Sequence, residues 1–124
     1  MNGKTILVIE DDDATRLGFG LILREHGYTV EFASCGKEGL DYLQNHSPPD
    51  LIILDMLMNG MDGWQFLKHR DARWPAVVVI ITTALGIAND EWPRSLGACG
   101  CLLKPITTED LLEKVGKCLN PSPE

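Results

Sequence analysis

The chain has 124 residues, 44% of them hydrophobic and 23% charged, with a formal net charge of -7. That length holds one domain and lets folding bury roughly two-thirds of the chain's surface, in a composition that is globular rather than disordered. The acidic balance argues against a nucleic-acid surface, which needs Lys and Arg, and the longest apolar run, 76–81, is too short to span a bilayer.

Thr5-Ile6-Leu7-Val8-Ile9 opens the pattern as a short β-branched run, suited to a strand buried on both faces. Asp12 or Asp13 caps a helix predicted over 14–26, with Leu17, Leu21 and Leu23 as its apolar face. Gly18 and Gly20 inside it each cost about 1 kcal/mol against Ala, so this helix depends on packing. Gly27 supplies its C-terminal cap. A second strand is read over 28–33 and a second helix over 36–45, with Leu40 and Leu43 inward and Ser47-Pro48-Pro49 as its stop. A third strand, 51–54, is wholly apolar. A third helix follows over 62–70, burying Trp64 or Phe66 together with Leu67. Pro75 opens a fourth strand, 77–81, the most β-prone stretch of the chain. Alternation of elements calls for a helix within 85–96, which Pro93 confines to a short one. A fifth strand covers 100–103. Thr107 or Thr108 caps a last helix to about 119, with Leu111, Leu112 and Val115 inward.

The order implies one α/β domain over 1–120, a frayed tail over 121–124 and no effector domain. Five parallel strands with right-handed crossovers and five helices on both faces make a three-layer sandwich. Its natural strand order is the flavodoxin-like 2-1-3-4-5.

Cysteines stand at Cys35, Cys99, Cys101 and Cys118, with no CxxC pair and no zinc-ligand spacing. They are expected to be reduced, mostly buried thiols. No secretory leader pattern is visible, and the expected location is the cytoplasm. His26, His46 and His69 share no spacing and read as surface residues. Trp64, Trp74 and Trp92 read as packing or partner contacts.

The chemistry concentrates where three apolar runs end in charge: Glu10-Asp11-Asp12-Asp13, Asp55 and Lys104-Pro105. Parallel strands in an α/β sheet converge their carboxyl ends on one edge, where such folds bind ligands. Carboxylates gathered there repel, which calls for a divalent cation and the lysine as counter-charge. Alone, each residue has a plainer role. Asp11 can cap a helix, Asp55 can begin a turn, and Lys104 can be a solvated strand end. Together those roles leave the acids unexplained.

These residues resemble the receiver domains of two-component response regulators over nearly the whole chain. Ile6-Leu7-Val8-Ile9-Glu10-Asp11-Asp12 is similar to the family's first strand and acidic pair. The stretch from Pro49 through Asp55 to Gly63 is similar to the surroundings of its phosphorylated aspartate. Thr82 matches the switch threonine, and Gly97-Ala98 and Leu103-Lys104-Pro105 match the last strand, with a cis peptide expected at Lys104-Pro105. The resemblance implies phosphorylation of Asp55 by a histidine kinase or histidine phosphotransfer protein. It implies Mg²⁺ held by Asp11, Asp55, the Leu57 carbonyl and, through water, Glu10. Lys104 would pair with the phosphoryl oxygens and Thr82 would donate to them. Output would run through contacts with an unidentified protein, without nucleic acid or membrane. The chain would catalyse its own phosphorylation rather than turn over as an enzyme. Asp62-Gly63 reads as a turn and helix start.

The chain departs from the family at four places. Asn59 replaces the usual proline, and Thr83 follows Thr82 where a smaller residue is common. Cys101 stands where an aromatic switch residue is usual, and Pro93 disturbs the fourth helix. An unconventional output is expected, and dimerisation through the fourth and fifth helices is in doubt. Leu57 and Ala84 flank the phosphoryl group in the family. Both are apolar and neither can orient a water, which predicts a long-lived aspartyl phosphate. A phosphorylation-independent interaction module is the alternative reading. A hydrolase with an aspartyl-phosphate intermediate is disfavoured, because Leu57 stands where its second acid would be.

Overall fold

A computed structural model of the chain describes residues 3–56, 63–84 and 97–120. The apolar runs become β1 (Thr5–Ile9), β2 (Thr29–Ala33), β3 (Leu51–Asp55), β4 (Val78–Thr83) and β5 (Gly100–Leu103). The described helices are α1 (Asp13–Glu25), α2 (Gly36–Asn45), α3 (Gly63–Arg73) and α4 (Thr108–Leu119). The strands form one sheet in the order β2-β1-β3-β4-β5. Every neighbouring pair is parallel. This is the flavodoxin-like arrangement read from the sequence. The helix expected within 85–96, with Pro93, lies outside the described residues, as does the tail.

Side chains alternate across a strand, and here they divide between two cores. Leu7, Ile9, Ile52, Leu54, Val79 and Ile81 pack with Leu40 and Leu43 of α2 and Phe66 and Leu67 of α3. Ile6, Val8, Leu51, Ile53 and Ile80 pack with Phe19 and Leu23 of α1 and Leu111 and Val115 of α4. Cover on both faces is why β1 and β3 read as unbroken apolar runs.

The helices begin where side chains can take up free backbone N–H groups. Asp12 accepts from the Thr15 N–H at 2.9 Å, and Thr107 Oγ1 accepts from the Asp110 N–H at 3.0 Å. Gly27 follows α1 at φ 89°, a left-handed conformation that glycine adopts without steric cost.

Several boundaries and one face differ from the sequence reading. Leu17 and Leu21 of α1 are exposed, at 57% and 66%, and the buried residues are Phe19, Gly20 and Leu23. Gly20 decides the orientation. A Cβ there would collide with the Phe32 ring, so the glycine side of the helix is the one that lies on β2. In α3 the buried aromatic is Phe66, while Trp64 is 41% exposed. That helix runs to Arg73, three residues beyond the predicted end. Buried Arg70 holds the extension, donating to the Val77 carbonyl at 2.7 and 3.1 Å and to the Gly97 carbonyl at 3.2 Å. β4 continues past Ile81 to include Thr82 and Thr83, both fully buried.

The expectation of four reduced thiols is also corrected: Cys99 and Cys118 form a disulfide. Their spacing of 19 residues carries no local motif. They meet only because α4 folds back along β5. Cys35 and Cys101 are not disulfide-bonded. Cys35 caps α2, its Sγ accepting from the Glu38 N–H at 3.5 Å.

Candidate functional site

Sheet register assembles the site. Ile9 pairs with Leu54, Asp55 with Thr82, and Thr82 with Leu102. Glu10, Asp55 and Thr82 therefore stand at one level on the carboxyl edge, and Lys104 lies two residues beyond Leu102. The period of two also sets their side. Val8, Ile53, Ile80 and Leu102 belong to the core beneath α1 and α4. Two residues on from each come Glu10, Asp55, Thr82 and Lys104, all on that same side.

Glu10, Asp55 and Thr82 are buried, at 1%, 4% and 0% exposure, while Asp11 is exposed. Glu10, Asp11 and Asp55 each offer a carboxylate oxygen within 4.8 Å of the others. Among the described residues no other group of three metal-ligating side chains converges. Lys104 Nζ lies 2.8 Å from Glu10 Oε1 and 3.4 Å from Asp55 Oδ2. The second Glu10 oxygen accepts from the Asp12 N–H at 3.0 Å. Burial pushes the Glu10 carboxyl up from its ordinary range, and the Asp55 charge adds to this against the opposing pull of Lys104. Burial works against the Lys104 ammonium. Its hydrogen bond to Glu10 and the charges of Asp55 and Glu10 outweigh that, and its net pKa is raised.

Thr82 Oγ1 is the one buried side-chain polar atom among the described residues without a hydrogen-bond partner. Its neighbour Thr83 anchors the last strand through its carbonyl, which accepts from the Lys104 N–H at 2.8 Å. The Lys104–Pro105 bond is cis, as expected. The structure thus places Glu10, Asp11, Asp55, Thr82 and Lys104 together at one edge of the sheet, while Leu57, Asn59 and Asp62 lie outside the described residues.

Two features escaped the sequence reading. Arg16 Nη1 donates to the Glu10 carbonyl at 2.8 Å, and its other terminal nitrogen pairs with Asp13. A basic residue on a solvent-facing turn gives no signal of that contact in sequence. A groove of about 550 Å³ also opens beside the site, between Gly18, Phe19 and Ile22 of α1 and Ala84, Lys104 and Ile106.

Residues 6–116 match the model of the response regulator receiver domain family. The chain belongs to that family, whose members work in two-component signalling. It is 31% identical to Protein PilH of Pseudomonas aeruginosa, over 92% of this chain and 96% of that protein. It is 37% identical to the transcriptional regulatory protein HprR of Escherichia coli, over 89% of this chain but only 49% of that protein. A CheY-like receiver domain protein from Methanospirillum hungatei, 32% identical, superposes with a TM-score of 0.83 over 96% of this chain and 95% of its own. The chain spans about half or less of several other curated relatives, such as the 48% it covers of the Synechocystis response regulator Rre1.

Proposed function

We propose that Asp55 accepts a phosphoryl group from a phosphohistidine on a sensor histidine kinase or a histidine phosphotransfer protein. The phosphorylated chain then signals through contacts with an output protein, in the cytoplasm and without nucleic acid. The observation that carries this reading is Thr82. A fully buried hydroxyl without a partner among the described residues, paired in register with a buried carboxylate, has a hydrogen bond to give to a group placed on that carboxylate.

In the transfer an Asp55 oxygen forms a bond to phosphorus. The phosphorus–nitrogen bond breaks, and its electron pair stays on the imidazole of the donor. Lys104, 3.4 Å from Asp55, follows the transferred oxygens and leaves Glu10 to do so. The three convergent carboxylates suit a hard cation with oxygen ligands. Asp11 and Asp55 would hold Mg²⁺ directly, Glu10 through water, and the Leu57 carbonyl would complete the protein's share. Bound there, the ion supplies charge neutralisation for the phosphoryl oxygens. The groove beside Lys104, with exposed Leu17 and Leu21 on the same helix, offers apolar surface on which the donor protein can dock.

The test is covalent labelling by acetyl phosphate. Label is expected only with Mg²⁺ present and is lost in Asp55→Asn. Label persisting in Asp55→Asn would move the acceptor elsewhere. A folded protein that takes no label under any condition would instead be the phosphorylation-independent module.

A further inference from the structure

We propose that Cys99 and Cys118 form a redox-exchange site, open to small disulfides and dithiols, that reversibly fastens the end of α4 to the start of β5. Three observations carry it. The two Cα atoms stand 6.0 Å apart and the sulfurs are bonded. Cys118 sits 7% exposed on the inner face of α4, against a core that includes Leu111 and Val115, whereas Cys99 is only partly buried against that core, so Cys118 is the more shielded of the two and Cys99 the more open to solvent. Both are held in place by other forces. The Cys99 N–H donates to the Val79 carbonyl at 2.7 Å, and α4 is seated by fully buried Leu111 and Val115. The helix therefore stays docked when the bond opens, and the two sulfurs remain positioned to close it again.

The exchange balances. The Cys99 thiolate attacks one sulfur of a donor disulfide and expels the first donor thiolate. The Cys118 thiolate then attacks Cys99 in the mixed disulfide and expels the second. Two protein S–H bonds and one donor S–S bond are replaced by one protein S–S bond and two donor S–H bonds. The protein loses two electrons and the donor gains them.

The closed ring joins residues 19 positions apart and contains β5, Lys104 and nearly all of α4. Oxidation thus ties covalently the segment that brings the lysine to the acidic cluster. The regulatory sense of this rests on the phosphoacceptor reading, which puts the chain beside a kinase in a reducing compartment. There a disulfide is transient and reports redox state rather than serving as a permanent staple.

The test equilibrates the full chain in graded ratios of reduced to oxidised glutathione, traps thiols with a maleimide and counts them by mass. A folded protein is expected to pass between four and two trapped thiols. Cys118→Ser abolishes the transition, and a combined Cys35→Ser and Cys101→Ser variant retains it. A ring of this size shifts the folding equilibrium on the order of a hundredfold, and the reduced form is expected to be weaker by that factor in denaturant titration. Four thiols under excess oxidised glutathione would overturn the proposal. So would a bond that survives excess dithiothreitol in the folded protein. Acetyl phosphate labelling is run alongside. Loss of labelling with exchange intact refutes the phosphoacceptor reading, and loss of exchange with labelling intact refutes this one.

Discussion

Replacing Thr82 with valine separates stability from signalling. The two side chains have nearly the same shape and share β-branching, so the strand and its packing are retained. What changes is a hydroxyl that is buried and has no partner among the described residues. Such a group costs about 1–3 kcal/mol in desolvation that no hydrogen bond returns. Thr82→Val is therefore expected to stabilise the unphosphorylated protein by about that amount. At this chain length roughly 1 kcal/mol moves the melting temperature by about 3–5 °C, which predicts a rise of about 3–15 °C. The assay is thermal and denaturant unfolding of both proteins without phosphodonor, followed by the same pair after acetyl phosphate and Mg²⁺. The phosphorylated wild type gains a hydrogen bond that the variant cannot make, so the gap narrows or reverses. A variant that is equal to or less stable than wild type before phosphorylation would show that the hydroxyl is already satisfied and would remove the argument built on it.

Further predictions follow from the same contacts. Lys104→Ala leaves Glu10 and Asp55 facing each other without their counter-charge, and is expected to cost about 1–2 kcal/mol, a moderate figure because the lysine is about a quarter exposed. Excess Mg²⁺ should recover most of this in denaturant titration, and no recovery would mean that the acidic cluster does not hold the cation. In α1, Gly18→Ala meets no atom within 4 Å and is expected to stabilise by about 0.5–1 kcal/mol, whereas Gly20→Ala drives a Cβ into Phe32 and is expected to destabilise by about 1–3 kcal/mol in thermal melts. The Ser34 N–H and hydroxyl hold the Glu38 carboxyl below its ordinary range. Its contribution is present above the unfolded value of 4.5 and is lost as pH falls through the depressed one, so Glu38→Gln should flatten the acid limb of the stability profile. Ala84 lines the groove beside Lys104 and, like Leu57, cannot orient a water. The aspartyl phosphate is expected to persist well beyond seconds in Mg²⁺, a lifetime read from decay of the label.

Most of the fold was legible because its central strands have no solvent face. Continuous apolar runs mark β1 and β3, and the residues that end them mark the site without any knowledge of packing. Register then does the rest, since parallel pairing fixes which strand ends share a level. What stayed hidden depends on contacts between distant segments. The stripes containing Leu17 and Leu21 and containing Phe19 and Leu23 are both helical in spacing, and only the approach of Phe32 to Gly20 chooses between them. The end of α3 depends on Arg70 finding carbonyls on two other segments. The disulfide joins a strand start to a helix end and leaves no trace in local spacing.

The distribution of unmet needs argues for where the chemistry lies. Elsewhere in the described chain, buried polar side chains find partners; Arg70 satisfies two carbonyls and an aspartate. At the carboxyl edge the balance is reversed within a few ångströms. Burial raises the Glu10 carboxyl above its ordinary range, Lys104 is shared between two acids, and the Thr82 hydroxyl has no partner among the described residues. A cation alone would relieve the carboxylates and leave Thr82 as it is. An anion alone would satisfy Thr82 and Lys104 but add to the carboxylate repulsion. A cation together with an oxyanion on Asp55 answers all three at once, and each makes room for the other. Unphosphorylated, the site is a set of costs that the two cores offset, and it is completed by the groups it is proposed to bind.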